Sequence, residues 1–241
     1  MPPRNRKRKG IECDGILLVD KPPEWTSHDV VGFLRSRYRL AKVGHGGTLD
    51  PMATGLLVLL LGQATKCSNA VMAGEKTYEG TLTLGVITDS QDQDGEVLET
   101  RPVPPQLTQA GVEALLPQFT GEILQLPPMV SALKKDGVPL YKLARKGEVI
   151  EREPRPVQIH EFSILGVDLP RVHLRVRCSK GTYIRTLAHD LGEALGCGAH
   201  LSALRRTASG AFSVEKALTI DALREMDLET LKPHLLPLLE I

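Results

Sequence analysis

The sequence predicts an α+β fold, and three observations carry that reading. Stretches of strict apolar–polar alternation and stretches of helical periodicity follow one another in irregular order. They do not form the repeated strand–helix–strand units of a doubly wound sheet. A chain of 241 residues, 41% hydrophobic and 24% charged, is long enough to bury a core without disulfides or metals.

Taken in order, residues 1–10 carry Arg4, Arg6, Lys7, Arg8 and Lys9 and read as a flexible basic tail. Gly15–Asp20 (GILLVD) predicts a strand, stopped by the turn residues Lys21-Pro22-Pro23. Thr26 and Ser27 can cap a helix that runs to about Tyr38 and turns Val30, Val31 and Leu34 inward. A glycine-rich stretch then leads to Leu56–Leu61, a continuous apolar run that reads as a buried strand and is too short to cross a bilayer. A short helix fits Ala64–Ala73.

From Lys76 the pattern alternates, with Tyr78, Gly80, Leu82, Leu84 and Val86 on one face of a strand. Thr88–Gly95 is a polar turn, and a helix follows near Thr108–Gln118. The Pro-punctuated segment Leu126–Pro156 is long, loop-rich and basic, with Lys134, Lys142 and Arg145 among its cations and a helix expected at Leu140–Lys146. Such an insertion is uncommon unless it binds something. Val172–Cys178 alternates as a half-buried strand, Ser179–Thr182 turns into a helix ended by Gly196, and a strand is expected near Leu204–Val214. Thr219 caps a last helix. We read residues 11–241 as one domain.

Composition narrows the classes of function. No apolar segment follows the basic tail, so no secretory signal is read, and the protein is expected in the cytoplasm. Cys13, Cys67, Cys178 and Cys197 lie far apart with no CxxC pair, which points to buried thiols rather than to zinc or disulfides. Aromatic residues make up only 4%, too few for a surface that stacks a run of single-stranded bases. An RNA partner would have to be recognised through its shape and backbone.

The densest local signal is Gly44-His45-Gly46-Gly47-Thr48-Leu49-Asp50-Pro51. Glycines let the backbone turn sharply and approach a ligand, and Pro51 restricts the conformation of Asp50, which fixes where its carboxylate points. By itself such a loop also reads as an ordinary turn with an Asx cap.

Set beside its neighbours, the string resembles the TruB-type pseudouridine synthases. The resemblance runs through GILLVDKP, Thr26-Ser27-His28, GHGGTLDPMATGLL, Lys76-Thr77-Tyr78, PPMVSALKKDGVPLYKLARKGE and CSKGTYIRTLAHDLGEALGCGAHLSALRRT, in the family's order over nearly the whole chain. It implies a central, largely antiparallel sheet crossed by a basic cleft, with residues of about 126–156 as a thumb-like insertion. It implies isomerisation of the T-loop uridine of tRNA (position 55) to pseudouridine after base flipping, with no cofactor and no metal.

Residue by residue, Asp50 matches the catalytic aspartate, Tyr78 the tyrosine that stacks on the target base, and Arg185 an arginine that pairs with the aspartate. Tyr183 and Leu204 match pocket residues, and His45 matches a histidine near the flipped nucleotides. Lys21 and Pro22 match a motif supporting the floor. The cations of the basic insertion, Lys134, Lys142 and Arg145 among them, are read as contacts to the RNA backbone. His28 reads as a capping or loop residue. Attack by Asp50 at C1′, attack at C6, and removal of the C2′ proton are all open as chemical routes. The resemblance implies a stand-alone enzyme acting on the tRNA T-arm with no guide RNA, and the protein is expected as a monomer away from membranes. Bacterial relatives commonly continue into a small C-terminal PUA module, and this chain is expected to lack one. Two rival classes are a non-catalytic RNA-folding module and a glycosidase, although no second carboxylate accompanies Tyr183 and Arg185 in sequence.

Overall fold

The computed structural model describes residues 10–129, 134–135, 138–139 and 150–238. Along the chain these form β1 (Gly15–Lys21), α1 (Ser27–Arg37), β2 (Val43–His45), β3 (Thr54–Leu61) and α2 (Ser68–Ala73). Next come β4 (Lys76–Leu84), β5 (Val86–Thr88), β6 (Val97–Thr100), α3 (Gln109–Glu113) and β7 (Gly121–Gln125). The short pair β8 (Lys134–Lys135) and β9 (Val138–Pro139) precedes β10 (Arg155–Asp168), β11 (Arg171–Cys178) and α4 (Ile184–Ala194). The chain ends with β12 (Ala199–Ser209), β13 (Phe212–Ser213), β14 (Leu218–Thr219), α5 (Ile220–Glu225) and α6 (Leu228–Leu231).

These elements divide into two compact units, one made of residues 1–74 with 206–241 and the other of residues 75–205. In the first unit β1 pairs antiparallel with β3, with Leu18 opposite Val58, and parallel with β14. The short strand β2 pairs antiparallel with β3, placing His45 opposite Leu59. Residues Leu56–Leu61 are buried on both faces, which explains the unbroken apolar run. One face packs Leu56, Val58 and Leu60 with Ile16, Leu18, Ala64, Val71 and Phe212. Each such side chain removed from water contributes roughly 1.5–3 kcal/mol.

Helix α1 starts with a capping box. Thr26 accepts a hydrogen bond from the Asp29 amide at 3.1 Å, and Asp29 accepts one from the Thr26 amide at 2.8 Å. Thr26 alone is therefore the cap. Ser27 is the first helical residue, and its hydroxyl is left available for another partner.

In the second unit β4, β11, β10 and β7 pair antiparallel in that order, and β5–β6 forms a separate hairpin. The α+β expectation, with largely antiparallel pairing, is met. Leu82, Val172, Leu174 and Val176 are fully buried in this sheet. Helix α4 buries Ile184, Leu187, Ala188 and Leu191. Gly196 follows it at φ 79° and donates to Glu193 O, as expected for a glycine past a helix end.

Several boundaries differ from the expectations. The helix expected at Thr108–Gln118 is split into α3 and a 3₁₀ turn at Leu116–Phe119, because Pro117 has no amide to continue the ladder. Gly62–Cys67 is likewise 3₁₀, and only Ser68–Ala73 is α-helical. Val86 does not continue β4 but opens β5. The strand expected at Leu204–Val214 starts earlier, at Ala199, and ends at Ser209 before a hairpin into β13.

Strand β10 was not anticipated. Val157 and Ile159 point inward, a register shift falls between Ile159 and Glu161, and Phe162 and Ile164 then take the inward places. That bulge switches the parity of the alternation and hides the strand from a period-two reading. Cys178 and Cys197 are buried, whereas Cys13 and Cys67 are only half-buried, and all four are free. The helix expected at Leu140–Lys146 lies outside the described residues, as do Lys142 and Arg145 and the side chain of Lys134.

Candidate active site

The loop between β2 and β3 carries Asp50, and five successive main-chain carbonyls along it are hydrogen-bonded within the first unit. Arg206 donates from Nη2 to Gly47 O and from Nη1 to Thr48 O, both at 3.3 Å. The Ser27 hydroxyl donates to Leu49 O at 3.3 Å and accepts from Leu49 N at 2.9 Å. Asp50 O accepts from Ala53 N at 3.1 Å, which closes a turn with Pro51 in its second place. Pro51 O accepts from Lys21 Nζ at 3.1 Å and from Glu24 N at 2.9 Å. The segment is a loop by hydrogen-bond ladder, yet it is tied as closely as a strand.

Glycines are required at its start. Gly47 sits at φ 137°, which an L side chain rarely adopts, and a Cβ on Gly46 would overlap Val71 of α2.

Two buried cations lie beneath this loop. Lys21, at the end of β1, is fully buried and also donates to Pro22 O at 2.8 Å and Trp25 O at 2.6 Å. Burial pushes its pKa down to about 8, opposed by the charge of Asp50 and assisted by that of Arg206. Pro22 fixes the turn that supplies one of those carbonyls. Arg206 is 2% exposed and also reaches Leu56 O at 2.7 Å. His45 packs edge-on against His28 with ring centroids 5.5 Å apart, and its Nδ1 accepts from Gly47 N at 3.4 Å. Burial first, then the charges of His28 and Arg206, hold His45 below the usual histidine pKa, so it is neutral at pH 7. Lys21, Pro22, His45 and Asp50 are thus brought together as the sequence reading expects, with His28 as an added brace.

In the second unit Tyr78 stands on β4 opposite Val176, and Leu204 is buried on β12. Tyr183 caps α4, and its main chain is bonded twice by Gln125, whose Oε1 accepts from Tyr183 N at 2.8 Å and whose Nε2 donates to Tyr183 O at 3.0 Å. Arg185, in the first turn of α4, is 4% exposed and donates from Nη1 to Asp92 Oδ2 and to Ser90 O, each at 3.1 Å. Asp92 is held in turn by the Ser90 hydroxyl at 2.5 Å and the Asp94 amide at 3.1 Å. The polar turn of the sequence reading is therefore partly buried, because its carboxylate serves the interior.

Arg206, Asp92 and Gln125 were not singled out from the sequence. For Arg206 a signal exists, since period two along β12 gives it the same inward parity as Leu204. Asp92 is one of several acids in a short stretch, and nothing local marks it. Among the described residues no group of three or more His, Cys, Asp or Glu side chains gathers to hold a metal ion. None of the described helices is long and apolar enough to cross a membrane.

The fold is that of the pseudouridine synthases. The structure of a Cbf5–Nop10–Gar1 complex aligns with 93% of this chain and 60% of that one, at 30% identity and a TM-score of 0.72. An H/ACA RNP bound to a substrate RNA containing 2′-deoxyuridine aligns with 88% of this chain and 52% of that one, at 31% identity and a TM-score of 0.66.

The chain belongs to the TruB family of pseudouridylate synthases. Residues 35–184 match the TruB family pseudouridylate synthase N-terminal domain, and residues 185–241 match the tRNA pseudouridylate synthase B C-terminal domain. The tRNA pseudouridine synthase B of Opitutus terrae is 55% identical over 94% of this chain and 93% of its own length. That of Burkholderia lata is 54% identical over 89% of this chain and 66% of its own length.

Proposed function

We propose that this protein converts the T-loop uridine at position 55 of tRNA to pseudouridine, with Asp50 as the catalytic carboxylate. The single observation that carries the reading is the unbroken set of bonded carbonyls from Gly47 to Pro51, which restrains the main chain on both sides of Asp50. Preorganisation of this kind is what a single-carboxylate reaction needs. The tRNA synthase names of relatives at 50–55% identity support the substrate.

In the reaction the N1–C1′ bond breaks, the uracil turns, C5 bonds to C1′, C5 gives up its proton and N1 gains one. The C5 proton leaves to solvent and N1 takes one up, so the base is never set free and no redox partner is needed. A uridine inside a folded loop must first be extruded, at about a few kcal/mol. The basic segment of residues 126–156, with Lys134, Lys142 and Arg145, is assigned to the RNA backbone and would offset that cost. Tyr78 is assigned to stack on the base, with Tyr183 and Leu204 lining its pocket, and Arg185 is assigned to the catalytic machinery. These four roles rest on the family pattern. The enzyme acts as a monomer in the cytoplasm, without a guide RNA, and residues 11–241 act as the catalytic portion.

The test is tritium release from a C5-labelled tRNA transcript, with no added metal or guide RNA. Wild type should release tritium and Asp50→Asn should not. Binding of tRNA without release by wild type would favour an RNA-folding module. Release only after a guide RNA is supplied would move the chain toward its guide-dependent structural neighbours.

A further inference from the structure

We propose that Arg206 is a positioning residue for catalysis, holding the Asp50 loop closed through its main chain. The inference rests on the reading of Asp50 as the catalytic carboxylate. It goes beyond the site residues assigned above, of which only Leu204 shares β12 with Arg206.

Arg206 is nearly inaccessible to solvent, and burying a guanidinium is costly unless its charge and donors are answered. Among the described residues no carboxylate is bonded to it. Its partners are three carbonyl oxygens, two of them at Gly47 and Thr48 just before Asp50 and one at Leu56 just after the loop re-enters the sheet. One planar side chain thus spans the entry and the exit of the nine residues Thr48–Leu56. Cutting this contact releases both ends of the catalytic loop at once.

The shape of the group matters as much as its charge. Nε faces β3 while Nη1 and Nη2 face the loop, a spread that the compact ammonium of lysine cannot reproduce. Glycine at the loop start is required by the backbone conformation and not by space beside the guanidinium. At Gly47 a Cβ would lie 3.6 Å from Arg206 Nη1, on a backbone at φ 137° that already favours glycine. Lys21 anchors the far side of Asp50 through Pro51 O, so the main chain is held by a buried cation on each side of the aspartate.

The experiment compares Arg206→Lys, Arg206→Gln and Gly47→Ala with wild type and Asp50→Asn, under single-turnover conditions with saturating tRNA transcript. Affinity for tRNA and the thermal unfolding midpoint are measured alongside. A displacement of about 1 Å in a catalytic group is worth roughly a hundredfold in rate. The expected result is a fall of about that size in the rate of the chemical step for Arg206→Lys. Its tRNA affinity should stay within about threefold of wild type, a split that general loss of structure would not produce. Gly47→Ala keeps the guanidinium but strains the loop entry at φ 137°, so it should show a rate-selective loss through the loop's own main chain even where Arg206→Gln does not fold.

Rates near wild type in both Arg206→Lys and Gly47→Ala, with Asp50→Asn inactive, would overturn the positioning role and leave Asp50 in place. A loss that appears wholly in tRNA affinity would overturn it as well. Activity retained by Asp50→Asn would overturn the catalytic reading and this inference with it.

Discussion

The hydroxyl of Ser27 and the main chain of Leu49 bond each other in both directions, Ser27 Oγ accepting from Leu49 N at 2.9 Å and donating to Leu49 O at 3.3 Å. Ser27 is buried in the first turn of α1, and Thr26 already caps that helix, so this hydroxyl serves the Asp50 loop alone. Ser27→Ala leaves a buried amide and a buried carbonyl unsatisfied. Each such group costs about 1–3 kcal/mol, and a chain of this size shifts its melting point by roughly 2–4 °C per kcal/mol. Thermal unfolding should show that shift. Ser27→Thr, which keeps the hydroxyl, should recover part of it.

Lys21 gives activity and stability opposite dependences on alkaline pH. Burial lowers its folded pKa to about 8 from an unfolded 10.5. Between these values the unfolded chain binds more protons than the folded one, so the contribution of Lys21 to stability rises with pH. The neutral amine has one proton fewer for its three carbonyls, and the 3.1 Å bond to Pro51 O is the longest of them. The single-turnover rate should therefore fall as pH rises through about 8, while the denaturation midpoint does not fall with it. Lys21→Met should be slow at all pH values and lack that inflection.

Burial first, and then the charge of His28 packed edge-on against it, lower the pKa of His45. Titration followed by imidazole NMR should place the His45 midpoint below 6.5. His28→Gln removes one of the two charges that lower it and should move the midpoint upward. An unchanged midpoint would overturn the contribution of His28.

Asp92 and Arg185 form an ion pair whose side chains are 7% and 4% exposed. Removing one partner of a buried pair costs about 3–5 kcal/mol, because the remaining buried charge loses a partner. Asp92→Asn should destabilise the protein on that scale in urea unfolding. The double variant Asp92→Asn with Arg185→Met should be less destabilised than the sum of the two single changes.

Much of the first unit was legible in the sequence. Leu56–Leu61 reads as a strand buried on both faces, because no alternation interrupts it. Thr26 reads as a cap, Gly196 as a helix end, and Asp50-Pro51 as a turn that aims a carboxylate. These signals are local, arising from the geometry of one or two turns or of a single strand, and neighbouring residues are enough to express them. The family motifs brought in Tyr78, Tyr183, Arg185 and Leu204 by pattern.

Tertiary structure alone decided the rest. Arg206 is bonded to Leu56 and Ser27 to Leu49, pairs with no local signature in the chain, and a charged or hydroxylated residue looks like a surface residue until its burial is known. Asp92 is marked out by its burial beside the Arg185 guanidinium, which nothing in the neighbouring sequence signals. The bulge after Ile159 hides β10 because one extra residue reverses the parity on which strand reading depends. Propensity and period act over a few residues, so the sequence by itself determined the elements and the loop that carries Asp50. The restraint on that loop comes from donors brought in from β1, α1 and β12, and only folding supplies them.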